Sequence, residues 1–159
     1  LLETVAMLIS QKYKETLFEK VLAQQSIKLQ ALSTEIAANR ENLGSATKSS
    51  AGDKHETGRA MLQLEQEKLG KSYAEAERVM QLLLRVPFEK SYTQIKVGSL
   101  FRTDQGLFLL AASFGKIRHG ADEVFVLGPS APLSQLLLGK APGDNIDWQG
   151  KRICISAVV

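Results

Sequence analysis

The placement of proline constrains this chain more than any other feature. Residues 1–86 contain none; Pro87 is the first of four, followed by Pro129, Pro132 and Pro142. Proline inside a helix costs roughly 3 kcal/mol, so long uninterrupted helices have room only before residue 87. That stretch is also rich in Glu, Lys, Gln, Leu and Ala, the strong helix formers. With 159 residues in all, the chain makes one domain or two small ones at roughly 100–200 residues each. Large folds such as a TIM barrel, at about 250 residues, are excluded.

Periodicity gives the helices a partner. Leu62, Gln66, Leu69, Tyr73, Ala76, Met80 and Leu83 follow an alternating 4–3 spacing, the seam of a coiled coil. Upstream, Leu22, Leu29, Ile36 and Leu43 recur every seven residues with Leu32 among them. Val5, Leu8, Ile9, Leu17, Phe18 and Val21 continue the apolar stripe in a shifted phase. Gly44-Ser45-Ala46-Thr47-Lys48-Ser49-Ser50-Ala51-Gly52 breaks the pattern between them. Two long helices joined by one break fold back most simply as an antiparallel hairpin over 1–86, with its tip near 44–58. The second helix, near 56–84, would be about 40 Å long at 1.5 Å per residue. The competing reading is a coiled coil that only dimerises.

Residues 87–159 read differently. Val97–Arg102, Leu107–Ala112, Glu123–Leu127, Asn145–Trp148 and Arg152–Val158 are short apolar runs bounded by turns, the signature of strands. Asp104-Gln105-Gly106 and Gln149-Gly150 are hairpin turn signals. One short helix fits Pro132–Gly139, with Pro132 in its first turn and Gly139 at its C-terminal cap. The fold class is therefore α+β: a helical hairpin followed by a small antiparallel β domain carrying one helix.

Charge and cysteine content remove several function classes. The formal net charge is +3. Residues 1–86 carry 12 basic and 11 acidic side chains, and residues 87–159 carry 8 and 6. Neither half is a basic nucleic-acid binder. The one cysteine, Cys154, cannot form an intrachain disulfide. Between Ile153 and Ile155 it reads as a small residue of a buried strand. A thiol-dependent acyl transferase or condensing enzyme needs histidine partners and a longer chain, and the only histidines are His55 and His119. No apolar run approaches the roughly 20 residues of a membrane span, and no signal peptide is visible, so the expected location is cytoplasmic.

The tip carries the chemistry of interest. Asp53 and Glu56 are three residues apart, a spacing that puts both on one face of a helix. Two convergent carboxylates suit a hard cation such as magnesium. The same pair also matches a capping box, with Asp53 as N-cap and Glu56 three residues on, and the two roles are compatible. Lys54, His55 and Arg59 flank the pair. With no second histidine nearby a zinc site is disfavoured. At the end of a projecting arm, the basic side chains suit phosphate contact.

In this order, a long helical hairpin with Gly52-Asp53-x-x-Glu56 at its tip and then a small β domain, the chain resembles the bacterial GreA/GreB transcript cleavage factors. A second run carries the resemblance further: Ser130-Ala131-Pro132-Leu133-Ser134-Gln135-Leu136-Leu137-Leu138-Gly139-Lys140-Ala141-Pro142-Gly143-Asp144. Gre factors carry a similar Ser-Pro-Leu, a short helix ending in Leu-Leu-Gly-Lys, and then Gly-Asp.

The resemblance implies an FKBP-like β domain that docks on the rim of RNA polymerase, through Pro132, Leu133, Gly139, Lys140, Gly143 and Asp144. It implies a coiled coil that enters the secondary channel, with Asp53 and Glu56 as the carboxylates that share magnesium with the polymerase active site. The protein would then stimulate cleavage of backtracked RNA without being an enzyme alone. It would act as a monomer, touching nascent RNA only inside the polymerase, through Lys54, His55 and Arg59, and no membrane. Where Gre tips continue Glu-Asn-Ala-Glu-Tyr, this chain has Glu56-Thr57-Gly58-Arg59-Ala60. That departure keeps open a non-cleaving regulator of the same channel. A peptidyl-prolyl isomerase is the third reading. It would need an aromatic pocket, whereas Phe101, Phe108, Phe114, Phe125 and Trp148 read more simply as sheet core.

Overall fold

The computed structural model describes residues 9–48 and 52–159, and the side chains of 47–48 and 52–55 are likewise outside what is described. The first helix, α1, spans Gln11–Lys48, and the second, α2, spans Gly52–Leu83. Ser10 starts α1, its Oγ accepting the Tyr13 backbone N–H at 3.0 Å, the usual service of a serine N-cap. Val5 and Leu8 of the expected apolar stripe lie outside the described residues.

The expected break at 44–52 is shorter than the sequence suggests. The helix α1 runs through Gly44 to Lys48. Nothing within 4 Å would meet a Cβ at Gly44, so this glycine marks neither a turn nor a close approach. It only costs the helix about 1 kcal/mol relative to alanine. The connection itself, residues 49–51, lies outside the described residues.

By its contacts the chain forms two compact units. Ala23–Met80 makes one, and residues 9–22 group with Gln81–Val159 in the other. Within the first unit the two helices run side by side in opposite directions. Gln25 Nε2 donates to the Ala76 carbonyl at 2.7 Å. Asn39 Nδ2 donates to the Leu62 carbonyl at 3.0 Å and to Gln66 Oε1 at 2.8 Å. Leu62, Gln66, Leu69, Tyr73, Ala76 and Met80 are buried or half-buried, while most of their neighbours are exposed. The spacing read from sequence therefore marks the covered face of α2.

The other unit is built on a six-stranded sheet. Its strands are β1 (Leu100–Thr103), β2 (Gly106–Leu110), β3 (Gly115–His119), β4 (Asp122–Leu127), β5 (Asn145–Trp148) and β6 (Lys151–Val158), in the order β3-β4-β2-β1-β6-β5. A short helix α3, Pro132–Leu137, follows β4. The sheet is mixed and not antiparallel as expected, because β2 and β4 pair in parallel, with Phe108 opposite Phe125. The cause is β3, which the sequence reading missed. It takes the outer edge and returns through Gly120-Ala121 to β4, so β4 reaches β2 running the same way. Ile117 is the one buried residue of β3, so an edge strand of this kind leaves almost no hydrophobic alternation to read.

Register sorts the side chains onto two faces. Phe101, Leu110, Leu127, Ile153 and Ile155 join Ile95, Leu137 and Ile146 in one core, with Phe108, Leu133 and Trp148 packed against it. The opposite face carries Leu100, Leu107, Leu109, Ile117, Val124 and Val126, all buried. The start of α1 covers that face: Leu17, Phe18 and Val21 are wholly buried, and Phe18 stacks on Phe88 at 4.2 Å. Each such side chain contributes about 1.5–3 kcal/mol by leaving water.

Two side-chain expectations are corrected by the same alternation. Cys154 is exposed, not buried, because Ile153 and Ile155 take the inward positions of β6. Phe125 is 37% exposed, so it borders the core without belonging to it. Among the described residues, no helix is long and apolar enough to cross a membrane.

Candidate functional site

The opening of α2 holds the tip residues. The helix is described from Gly52 on, so Asp53 lies within it and is not the N-cap expected from the capping-box spacing. Positions 53 and 56 are three apart within continuous helix, and so share a face. Glu56 and Arg59 are exposed. The side chains of Asp53, Lys54 and His55 lie outside the described residues.

Two carboxylates supply hard oxygen donors of the kind magnesium takes, and they leave most of its octahedral positions to other ligands. Among the described residues, no group of three or more His, Cys, Asp and Glu could hold a metal ion. The donor set at positions 53 and 56 fits a cation whose remaining ligands come from water, substrate or another chain.

The second candidate region is the run Ser130–Asp144. Pro132 opens α3, with Ala131 before it in extended conformation. Ser134 is fully buried and donates to the Gly128 carbonyl at 2.7 Å. Gly139 follows the helix with φ +83°, a value that favours glycine. Its N–H donates to the Ile95 carbonyl at 2.8 Å, while the Ile95 N–H donates back to Lys140. Gly143 has φ +96° and donates to the Ile155 carbonyl. Asp144 Oδ2 accepts the Ala141 N–H at 2.8 Å.

Gly139, Lys140, Gly143 and Asp144 thus have structural tasks within the unit. Pro132 is exposed and Leu133 half-buried. Leu136 and Leu138, at 42% and 37% exposure, are the large hydrophobic side chains that this run offers to solvent beside its prolines. The sequence reading did not single them out. Their alternation with the buried Leu137 around a helix end was the available signal.

A third cluster had no sequence signal, because it joins residues about 100 positions apart. Tyr13 Oη donates to Asp122 Oδ2 at 2.9 Å, and its ring meets His119 edge-on at 4.8 Å. Thr16 Oγ1 lies 3.3 Å from His119 Nε2. Burial and the Asp122 carboxylate both raise the Tyr13 phenol above its ordinary range. Nearby in sequence, Lys14 is wholly buried. Its Nζ donates to the Lys90 carbonyl at 2.6 Å and sits 4.9 Å from the centre of the Tyr92 ring. Burial lowers its pKa to about 8, against a smaller upward pull from Glu15. These contacts fasten the start of α1 to the sheet and to the segment after α2.

No protein-family model matches the chain, and no curated protein matches it.

Proposed function

We propose that this protein binds RNA polymerase, inserts its paired helices as a coiled coil into the secondary channel, and stimulates cleavage of backtracked RNA. One observation carries the reading. Two acidic residues share a face in the opening turns of a 32-residue helix, next to the short connection from a 38-residue helix. Within the Ala23–Met80 unit they run for 26 and 29 residues, about 39 and 44 Å at 1.5 Å per residue, the length on which insertion of a carboxylate pair into a channel would draw. The six-stranded unit with its exposed Leu136 and Leu138 would be an FKBP-like docking domain.

Asp53 and Glu56 would hold magnesium together with carboxylates of the polymerase. A metal ion there supplies charge stabilisation to a phosphodiester undergoing hydrolysis and makes bound water more acidic. Arg59, exposed one turn beyond Glu56, would contact RNA phosphate, with Lys54 and His55 beside it. The near-neutral balance of the helical half agrees with a protein that meets RNA only at one end and inside a partner.

The test is a purified backtracked elongation complex with its cognate polymerase. Wild-type protein is expected to raise the rate of RNA cleavage, and Asp53→Ala with Glu56→Ala is expected to return it to the polymerase's own rate without loss of binding. Unchanged stimulation by the double variant would sink the assignment. One feature favours a second reading. Arg59 and Ala60 stand where Gre tips carry an acid and an aromatic, which suits a channel regulator that does not cleave. Binding without any magnesium-dependent cleavage would select it.

A further inference from the structure

Among the described residues, Arg102 alone has buried side-chain donors that no acceptor of the chain meets: its Nε and Nη2. An exposed lysine or arginine has water for its donors, whereas these two nitrogens are buried. A buried donor left unpaired is costly, and more so when charged, so such a group calls for a partner. Arg102 pairs across the sheet with Leu107 and Ala157, which puts it on the face that the start of α1 covers. The register with β6 slips between Arg102 and Thr103, and Ser156 Oγ donates to the Arg102 carbonyl at 3.2 Å. A bulge of this kind re-aims a side chain.

The surrounding acids are engaged elsewhere. Asp122 Oδ2 accepts from Tyr13, and Asp104 Oδ1, two residues along β1, accepts the Cys154 N–H at 3.0 Å. Tyr13 lies within reach of the Arg102 charge: burial and Asp122 raise its phenol, and Arg102 pulls the other way. Arg102 as a whole is half-buried, so its two unpaired nitrogens lie just beneath the surface.

We infer that the Nε–Nη2 edge of Arg102 is a binding site for a carboxylate group. The match is one of number and shape. On Arg78 the same two nitrogens hold both oxygens of Glu75, Nε donating at 3.0 Å and Nη2 at 2.8 Å. A carboxylate brings two coplanar acceptors to two coplanar donors. A phosphate would bring further oxygens against the buried Leu100 and Leu107, where they would find no donors. The carboxylate comes from a small acid or from an acidic side chain of a partner, and the edge recognises the group they share. Neither the tip nor the polymerase takes part, so failure here leaves the polymerase reading standing.

Sodium acetate, capped Gly-Asp-Gly and sodium phosphate are each titrated into the full chain near neutral pH, against sodium chloride of equal ionic strength. The readouts are the thermal midpoint and the Arg102 Nε–H resonance, assigned by its loss in Arg102→Lys. The expected result is a saturable shift of that resonance by acetate or the peptide in roughly the millimolar range, at least about tenfold weaker for phosphate. A tenfold excess over half-saturation should raise the midpoint by about 4 °C. The stronger of the two carboxylates identifies the source. Arg102→Lys keeps a charge but lacks the fork, and should lose the midpoint response. Arg102→Met, which removes the unpaired charge, should be no less stable than wild type in chloride. Acetate and peptide acting no differently from chloride, as when a buried water already satisfies both donors, would overturn the inference. So would a phosphate response equal to that of acetate, or an Arg102→Lys variant that responds like wild type.

Discussion

Lys14 carries a charge where the chain has no water to offer it. Its pKa falls from 10.5 to about 8 on folding, so between those values the unfolded chain holds a proton that the folded one has released. Stability must then rise with pH across that window, since it rises wherever the unfolded state binds more protons. Tyr13 works the other way. Its phenol ionises above the ordinary value of 10.0, so its contribution is complete below that pH and is lost above it. The expected profile climbs from pH 8 towards 10 and then turns over. Denaturant midpoints measured from pH 7 to 11 check it, and Lys14→Met should flatten the climb while keeping the side chain's length. A second residue-scale prediction concerns Gly98, whose φ is +102° and where a Cβ would stand 2.7 Å from the Pro87 carbonyl oxygen. Gly98→Ala should cost about 2–4 kcal/mol, from strain and a backbone clash, visible as a lowered thermal midpoint.

At the scale of elements, the covered face of α2 was legible because its apolar residues keep one spacing from Leu62 to Met80. The covered face of α1 was only half legible, since Gln25 and Asn39 occupy it as buried polar residues. Their hydrogen bonds to α2 fix which residues face each other. A polar residue in such a seam specifies register at a cost in stability. Asn39→Leu should therefore raise the denaturation midpoint by the equivalent of about 1–2 kcal/mol, while broadening the amide resonances of both helices as alternative registers become accessible. A fall in stability with sharp resonances would mean that the Asn39 hydrogen bonds outweigh the cost of burying the amide. Five strands were readable from apolar runs bounded by turns. The edge strand β3 was not, because one inward isoleucine between lysine and arginine carries no pattern. With β3 unseen, the parallel pairing of β2 and β4 could not be foreseen.

For the whole molecule, two compact units coexist in a chain whose helices belong to both. The proline-free stretch foretold the helices. It could not foretell that residues 9–22 group with the sheet, because that depends on contacts such as Tyr13 with Asp122, far apart in sequence. The acidic pair at positions 53 and 56 was legible as a spacing. Its chemistry was not, because two carboxylates complete a magnesium site only with ligands from elsewhere. The proposed function rests on that sharing, so the magnesium dependence of RNA cleavage in a backtracked complex tests it most directly. The account predicts that adding this protein lowers the magnesium concentration needed for half-maximal cleavage, and that Glu56→Ala abolishes the shift while leaving polymerase binding intact. An identical magnesium dependence with and without bound protein would contradict it.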